Sequence, residues 1–287
     1  SKRGSGTATF SNTTANSFAS GISLEQGTLA FNAAGAPGSA TITCSGGNLS
    51  FGPATNSTIA SPLVFNAPTT ISPTTQHTSS GNWTGTNQTI TMAGNGSLWT
   101  VAGTWTGFTG RINFGSSSAR IRINGNTNTN FGSAAVAIDL GSAGGQIMNR
   151  NGAAISFGSL ESTGASTVLA GTQTVGAATT YSIGALNTNT TFAGSITDGG
   201  NTTTNAATNI TKVGTGTWTL TGQGQHSGTT TVSAGAMFVN GSFVVSPIRS
   251  LASAVSVSSG ATLGGSGSIA GVTTVNSGGT LIAGAAP

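Results

Sequence analysis

The chain has 287 residues, of which only 4% are charged, where a typical globular chain carries about 25%. Eight Lys and Arg set against four Asp and Glu leave a formal +4, too sparse a field for the concentrated basic stripe that nucleic acid requires. The 46 glycines and the scarcity of helix-covering Lys, Glu, Arg and Gln argue against helix, while abundant Thr and Gly favour strands and tight turns.

In chain order, residues 1–32 open with K-R-G-S-G-T-A-T-F, which matches K-V-G-T-G-T-W-T-L at 212–220 position by position. Residues 18–32 then match 226–240, so a pattern at the start of the chain returns near its end. Its fixed positions are Lys2 and Lys212, Gly4 and Gly214, Gly6 and Gly216, and Gly27 and Gly235. Leu24, Leu29 and Phe31 are expected to face inward. Residues 33–80 read as short strands, among them 40–44, 49–51 and 63–65, in irregular coils with loops. Cys44 falls on the same strand face as Ile42 and, as the single cysteine, excludes an intrachain disulfide.

The central stretch, 81–200, supplies a spacing. G-N-W-T-G at 81–85 and Ile90 recur as G-T-W-T-G at 103–107 and Ile112, a constant shift of about 22 residues. Periods of about 20–50 residues signal solenoids, and this one suits one coil of a parallel β-helix whose strands lie about 4.8 Å apart. Trp83 is then expected to stack on Trp105. Asn124, Asn126, Asn128 and Asn130 alternate on one side, as do Asn187 and Asn189, and amides stacked this way hydrogen-bond along a solenoid axis. In 201–287, V-S-S-G-A-T-L at 257–263 repeats at 275–281, and 232–235 is a third version, giving Gly235, Gly260 and Gly278 equivalent corners. Unequal steps fit constant core strands with variable loops, about 18–25 residues per coil. The expectation is one all-β domain over residues 1–287, a parallel β-helix.

No apolar run of about 18 residues is present to span a membrane as a helix, and the start does not read as a signal peptide. Enzymes built on β-helices rely on clustered carboxylates as acid–base pairs or Ca²⁺ ligands. Glu25, Asp139, Glu161 and Asp198 are the only acids and stand singly, far from one another along the chain, so no catalytic residue, cofactor or metal is expected. His77, His226 and Cys44 lack metal-ligand spacing and read as surface or satisfied polar positions. Lys2 and Lys212 either bind an anion or, the better reading, end an apolar strand and discourage edge pairing. Arg111, Arg120 and Arg122 form one cationic cluster. In R-I-R-I at 120–123 the arginines share the outer face and Ile121 and Ile123 the inner. A basic stripe for acidic polysaccharide is set here against a solvated face or pairing with Asp139 or Glu161. Trp83 and Trp105 offer rings for sugar stacking or core packing, and Trp218 takes the place of an ordinary core residue.

The pattern K-x-G-x-G-T-x-T-L-x-G followed by G-x-T-x-V-x-x-G at 212–235 resembles the autotransporter-associated β-strand repeat of bacterial surface proteins. V-x-x-G-A-T-L-G-G-S-G-S-I at 257–269 is similar to the segment that succeeds it in that family, and F-A-G-S-I-T-D at 192–198 to its lead-in strand. The resemblance implies a right-handed parallel β-helix, secreted or on the cell surface, as an adhesin-like or structural passenger. His226 departs from it by standing where the family has Tyr, and nothing after Gly260 is long enough for an outer-membrane barrel.

The first expectation for function is a structural surface protein whose rods join head to tail into a fibre or sheath. A β-helix has two ends with unpaired backbone groups, and a surface with few charges offers little repulsion between copies. The alternative is an adhesin-like passenger that binds polysaccharide or cell-surface glycan through Trp83, Trp105, Arg111, Arg120 and Arg122. A polysaccharide-acting enzyme comes third.

Overall fold

Short strands with alternating apolar and small polar residues bury one side each, and with no helix to cover that side they must cover one another. The computed structural model describes the chain apart from residues 13, 15, 17, 19, 34–35, 53–56, 106, 125–130, 173, 175–176, 200–205, 244–252 and 285–287. Its described residues form strands and no helix, wound into a parallel β-solenoid of about 11 turns. Each coil visits three faces in a fixed order.

The first face stacks Ile22–Leu24, Ile42–Cys44 and Leu63–Phe65, and further along Thr179–Ile183, Thr208–Lys212 and Thr230–Val232. The second stacks Thr7–Phe10, Thr28–Phe31 and Asn48–Phe51, and the third stacks Gln76–Ser79, Leu98–Val101, Arg120–Ile123 and Gln146–Asn149. Among the described residues, 33–80 hold six strands, from Ile42–Cys44 to Gln76–Ser79. Register places like on like, so that Leu29 lies on Leu49 and Leu49 on Ile71, all fully buried in one core that runs the length of the stack. Phe10, Phe31 and Phe51 continue as a ladder of stacked rings 5.5 and 5.9 Å apart.

Coil length departs in places from the expected range of about 18–25 residues. Val255 pairs with Thr273, at the short end of that range, whereas Tyr181 pairs with Ile210, several positions beyond its long end. The additional residues lie between strands, where lengthening a loop raises its closure entropy only slowly. The step read from the sequence is present at Ile90↔Ile112, but Trp83 meets Trp105 edge-on, with centroids 6.3 Å apart and planes at 90°, and does not stack on it face to face. The ladder stands one position out of step at Thr84↔Gly107 and recovers through an irregularity between Gly85 and Gln88. The ring quadrupole then favours the T-shaped contact.

Asparagines do run along the axis, though chiefly amide to backbone. Oδ1 of Asn187 and of Asn189 accepts the N–H of Thr215 and Thr217 in the next coil, both at 2.8 Å, and Asn82, Asn209 and Asn240 repeat the arrangement. Asn124 receives Asn151 Nδ2 at 3.2 Å, whereas Asn126, Asn128 and Asn130 lie outside the described residues.

The duplicated lysines have a role the sequence does not announce. Lys212 ends a first-face strand at an inward position and is buried, its Nζ donating to the carbonyls of Val213 at 2.7 Å and Gly214 at 3.0 Å in its own coil and Ala234 at 3.2 Å in the next. Lys2 does the same with Arg3, Gly4 and Gln26. The ammonium thus ties the corners of two successive coils, in place of binding an anion or guarding an edge. Burial pulls the Lys212 pKa down to about 8. Above each lysine corner sits a glycine. A Cβ on Gly235, at φ 63°, would stand 2.5 Å from the carbonyl oxygens of both Gly214 and Gly216, and Gly27 is placed in the same way over Gly4 and Gly6. Gly260 and Gly278 turn later corners with φ of 74° and 82°.

Candidate functional site

On the second face the ladder of strands is interrupted once among the described residues. One sheet runs without a break from Thr7–Phe10 to Ala154–Glu161, but the following rung, Thr190–Phe192, belongs to a separate sheet joined only by the single bridge Ser162↔Phe192. The connection at 184–189, between Thr179–Ile183 and Thr190–Phe192, is longer than its counterpart in the next coil, 213–216 between Thr208–Lys212 and Thr217–Leu220, and it turns before the second face resumes. The resulting step opens a groove of about 800 Å³. Arg111, Asp139 and Glu161 line one bank, and Asn189, Thr191 and Thr219 the other.

Stacking brings the two acids together. Asn113 pairs with Asp139 and Asp139 with Glu161, so carboxylates far apart in sequence occupy consecutive rungs. Arg111, on Gly107–Asn113, bridges them, its Nη2 lying 2.7 Å from both Asp139 Oδ2 and Glu161 Oε1. Burial lowers the guanidinium pKa, but the hydrogen bonds and charges of Asp139 and Glu161 outweigh it and hold Arg111 above its ordinary value. Asp139 Oδ1 also accepts the N–H of Gly141, which fixes the carboxylate from behind. The groove therefore presents carboxylate acceptors, a guanidinium, threonine hydroxyls and an amide, the complement of a hydroxyl-rich ligand. Sequence alone pairs Arg111 with either acid but does not assemble all three, although the step from Asp139 to Glu161 equals the step from Ile90 to Ile112.

The remaining expected site residues lie elsewhere. Arg120 and Arg122 are on the third face, so with Arg111 on the second they do not make one stripe. Ile121 and Ile123 face inward as expected, but Arg122 is only 8% exposed and its neighbours Leu98, Met148 and Ala170 form a small apolar cluster on the outer side. Trp83 and Trp105 are fully buried and cannot stack on a sugar, because both sit at inward positions of the core. Trp83 Nε1 donates to Ser79 Oγ and Trp218 Nε1 to the carbonyl of Leu160, each at 3.0 Å. His77 and His226 are buried, not on the surface, and are hydrogen-bonded to Ser57 and Thr75 and to Thr230 respectively. Burial pushes the Cys44 thiol up to about 12, which leaves it unreactive.

The lysine corner occurs twice with the same carbonyl contacts, and those two places are where similarity to known proteins is found. Residues 1–31 and 210–237 match the family model of the passenger-associated-transport repeat. No curated protein and no solved structure matches the chain. The matched passenger-associated-transport repeats contain Lys2 with Gly27 and Lys212 with Gly235, the residues that tie one coil to the next. The association of this repeat with autotransporters suggests a secreted or surface protein.

Proposed function

We propose that this chain is a surface-displayed, passenger-type β-helix that binds saccharide in the second-face groove. The observation that carries the reading is the stack of Arg111, Asp139 and Glu161 facing threonine hydroxyls across about 800 Å³. Sugar hydroxyls both donate and accept, and carboxylates beside a guanidinium answer them with charge-assisted bonds. No exposed aromatic ring lines the groove among the described residues, so single-site affinity is modest and display of many rods supplies avidity. The role is binding, not catalysis. A glycan array, followed by titration calorimetry, tests it: Asp139→Asn and Glu161→Gln each abolish binding of the neutral oligosaccharides that the unaltered protein selects. Absence of any selective binding by the unaltered protein counts against the proposal.

A second reading, rods that associate with one another, is supported by a different observation: only 4% of the residues are charged, so copies repel one another little. Electron microscopy of concentrated protein distinguishes filaments from dispersed rods.

A further inference from the structure

We infer that Arg120, Arg122 and Arg150, on the outer side of the third face, form a docking site for an oxyanion-bearing saccharide. The site is separate from the groove and does not depend on the reading given to it. Arg122 pairs in the ladder with Thr100 on one side and Met148 on the other. Arg120 precedes Arg122 by two positions on the same outward side of one strand, and Arg150, exposed just past the end of the next rung at Gln146–Asn149, sets its positive charge against Arg122. The N–H of Arg150 donates to the carbonyl of Ile123 at 3.0 Å, which holds it beside Arg122.

These cations have no counter-charge in the described chain. Of its four acids, Glu25 pairs with Arg3, Asp139 and Glu161 pair with Arg111, and Asp198 accepts the N–H groups of Thr208 and Ser227. Arg122 is nonetheless more than nine-tenths buried. A buried charge is ordinarily paired and hydrogen-bonded, but here Arg150 and Arg120 are like charges, which add to burial in lowering the Arg122 pKa. The buried Nε of Arg120, Nε of Arg122 and Oγ1 of Thr100 have no hydrogen-bond partner. These atoms supply N–H and O–H donors, and what they lack is an acceptor carrying negative charge. Planar guanidinium groups match sulfate, phosphate and carboxylate through paired N–H donors. Leu98, Met148 and Ala170 beside them offer an apolar surface to the C–H side of a sugar ring and lower the local dielectric.

The test uses the full chain with dextran sulfate, polygalacturonate and uncharged dextran at several salt concentrations. Binding of one or both acidic polymers, weakening with salt, and no binding of dextran is the expected result, and the pair of polymers separates a sulfate from a carboxylate preference. Arg122→Gln, and Arg120→Gln combined with Arg150→Gln, each weaken that binding by about tenfold or more, whereas the groove variant Asp139→Asn retains it. A second measurement covers any folding defect in the variants. Without polyanion Arg122→Met melts above the unaltered protein because like-charge repulsion is gone, and dextran sulfate raises the melting temperature of the unaltered protein but not of the variant. No polyanion binding, equal binding by the arginine variants, or loss of binding in Asp139→Asn would overturn the inference.

Discussion

Replacing Lys212 by Met keeps the apolar stem and removes the ammonium that ties two coils. Three carbonyl oxygens at 2.7, 3.0 and 3.2 Å lose a charged donor. At about 2 kcal/mol for each carbonyl left without a donor, the gross cost is about 6 kcal/mol. Against it stands burial, which takes the pKa from 10.5 to about 8 and so disfavours the charged form by about 3 kcal/mol. The expected net loss on Lys212→Met is about 3 kcal/mol at neutral pH. A solenoid opens coil by coil, so the loss is local and is best read by hydrogen exchange at Ser233 and Ala236, whose N–H groups bond to Lys212 and Gly216 of the preceding coil. Their exchange accelerates by about a hundredfold if this balance holds. Unchanged or slower exchange refutes the reasoning, since burying the ammonium would then cost at least as much as its three bonds return. The pH dependence has a definite sign. Between pH 8 and 10.5 the unfolded chain still holds a proton that folded Lys212 has released, so stability rises with pH across that window and Lys212→Met flattens the rise.

Three further outcomes follow from the same geometry. Burial lowers the His226 pKa from 6.5 to about 4, an effect that the charge of Asp198 opposes. The unfolded state therefore takes up a proton first as pH falls, and stability that is full above pH 6.5 declines toward pH 4 by about 3 kcal/mol, a slope that His226→Phe removes in urea unfolding. Gly235→Ala forces a methyl against two backbone carbonyls at a positive φ and costs more than about 2 kcal/mol, whereas Gly260→Ala, with open space around it, costs about 1 kcal/mol in the same assay. Arg111→Gln leaves Asp139 and Glu161 on consecutive rungs without a counter-charge. As both are partly exposed, unfolding at low salt shows a loss of about 1 kcal/mol that added salt reduces.

Ile90 and Ile112 illustrate why the architecture can be read from the residues. A parallel stack sets equivalent positions on one another, so wherever the core repeats, the coil step is printed in the sequence. Lys212 carries a similar signal, since it shares strand parity with buried Ile210 and must point inward. Its carbonyl partners are a property of the corner, however, and no periodicity specifies them. Asp139 and Glu161 are related by a legible step, but their segment has no repeat to mark it, and the groove beside them exists only because the second face breaks at Ser162. The tryptophans and Arg122 mark another boundary. Whether an aromatic ring or a guanidinium is exposed depends on what packs over it, and here Trp83 and Trp105 join the core while Arg122 is enclosed on the outer side of its sheet. The long coil from Tyr181 to Ile210 is equally hidden, because surplus residues in a turn leave the strand pattern untouched.

The single bridge at Ser162 also has a mechanical consequence. Tension along a stack is borne by the backbone ladders between coils. On the first face Ile155 pairs with Tyr181, and on the third Val168 pairs with Ser195, so both ladders continue past this level while the second face is joined at one point. Load there is carried off-centre, and the rod flexes about its first and third faces at the level of the groove. Bending toward the second face narrows the cleft between Glu161 and Thr191, and bending away widens it. On the proposed reading a saccharide lodged there would act as a wedge, coupling the stiffness of the rod to the occupancy of the groove through one discontinuity in a sheet.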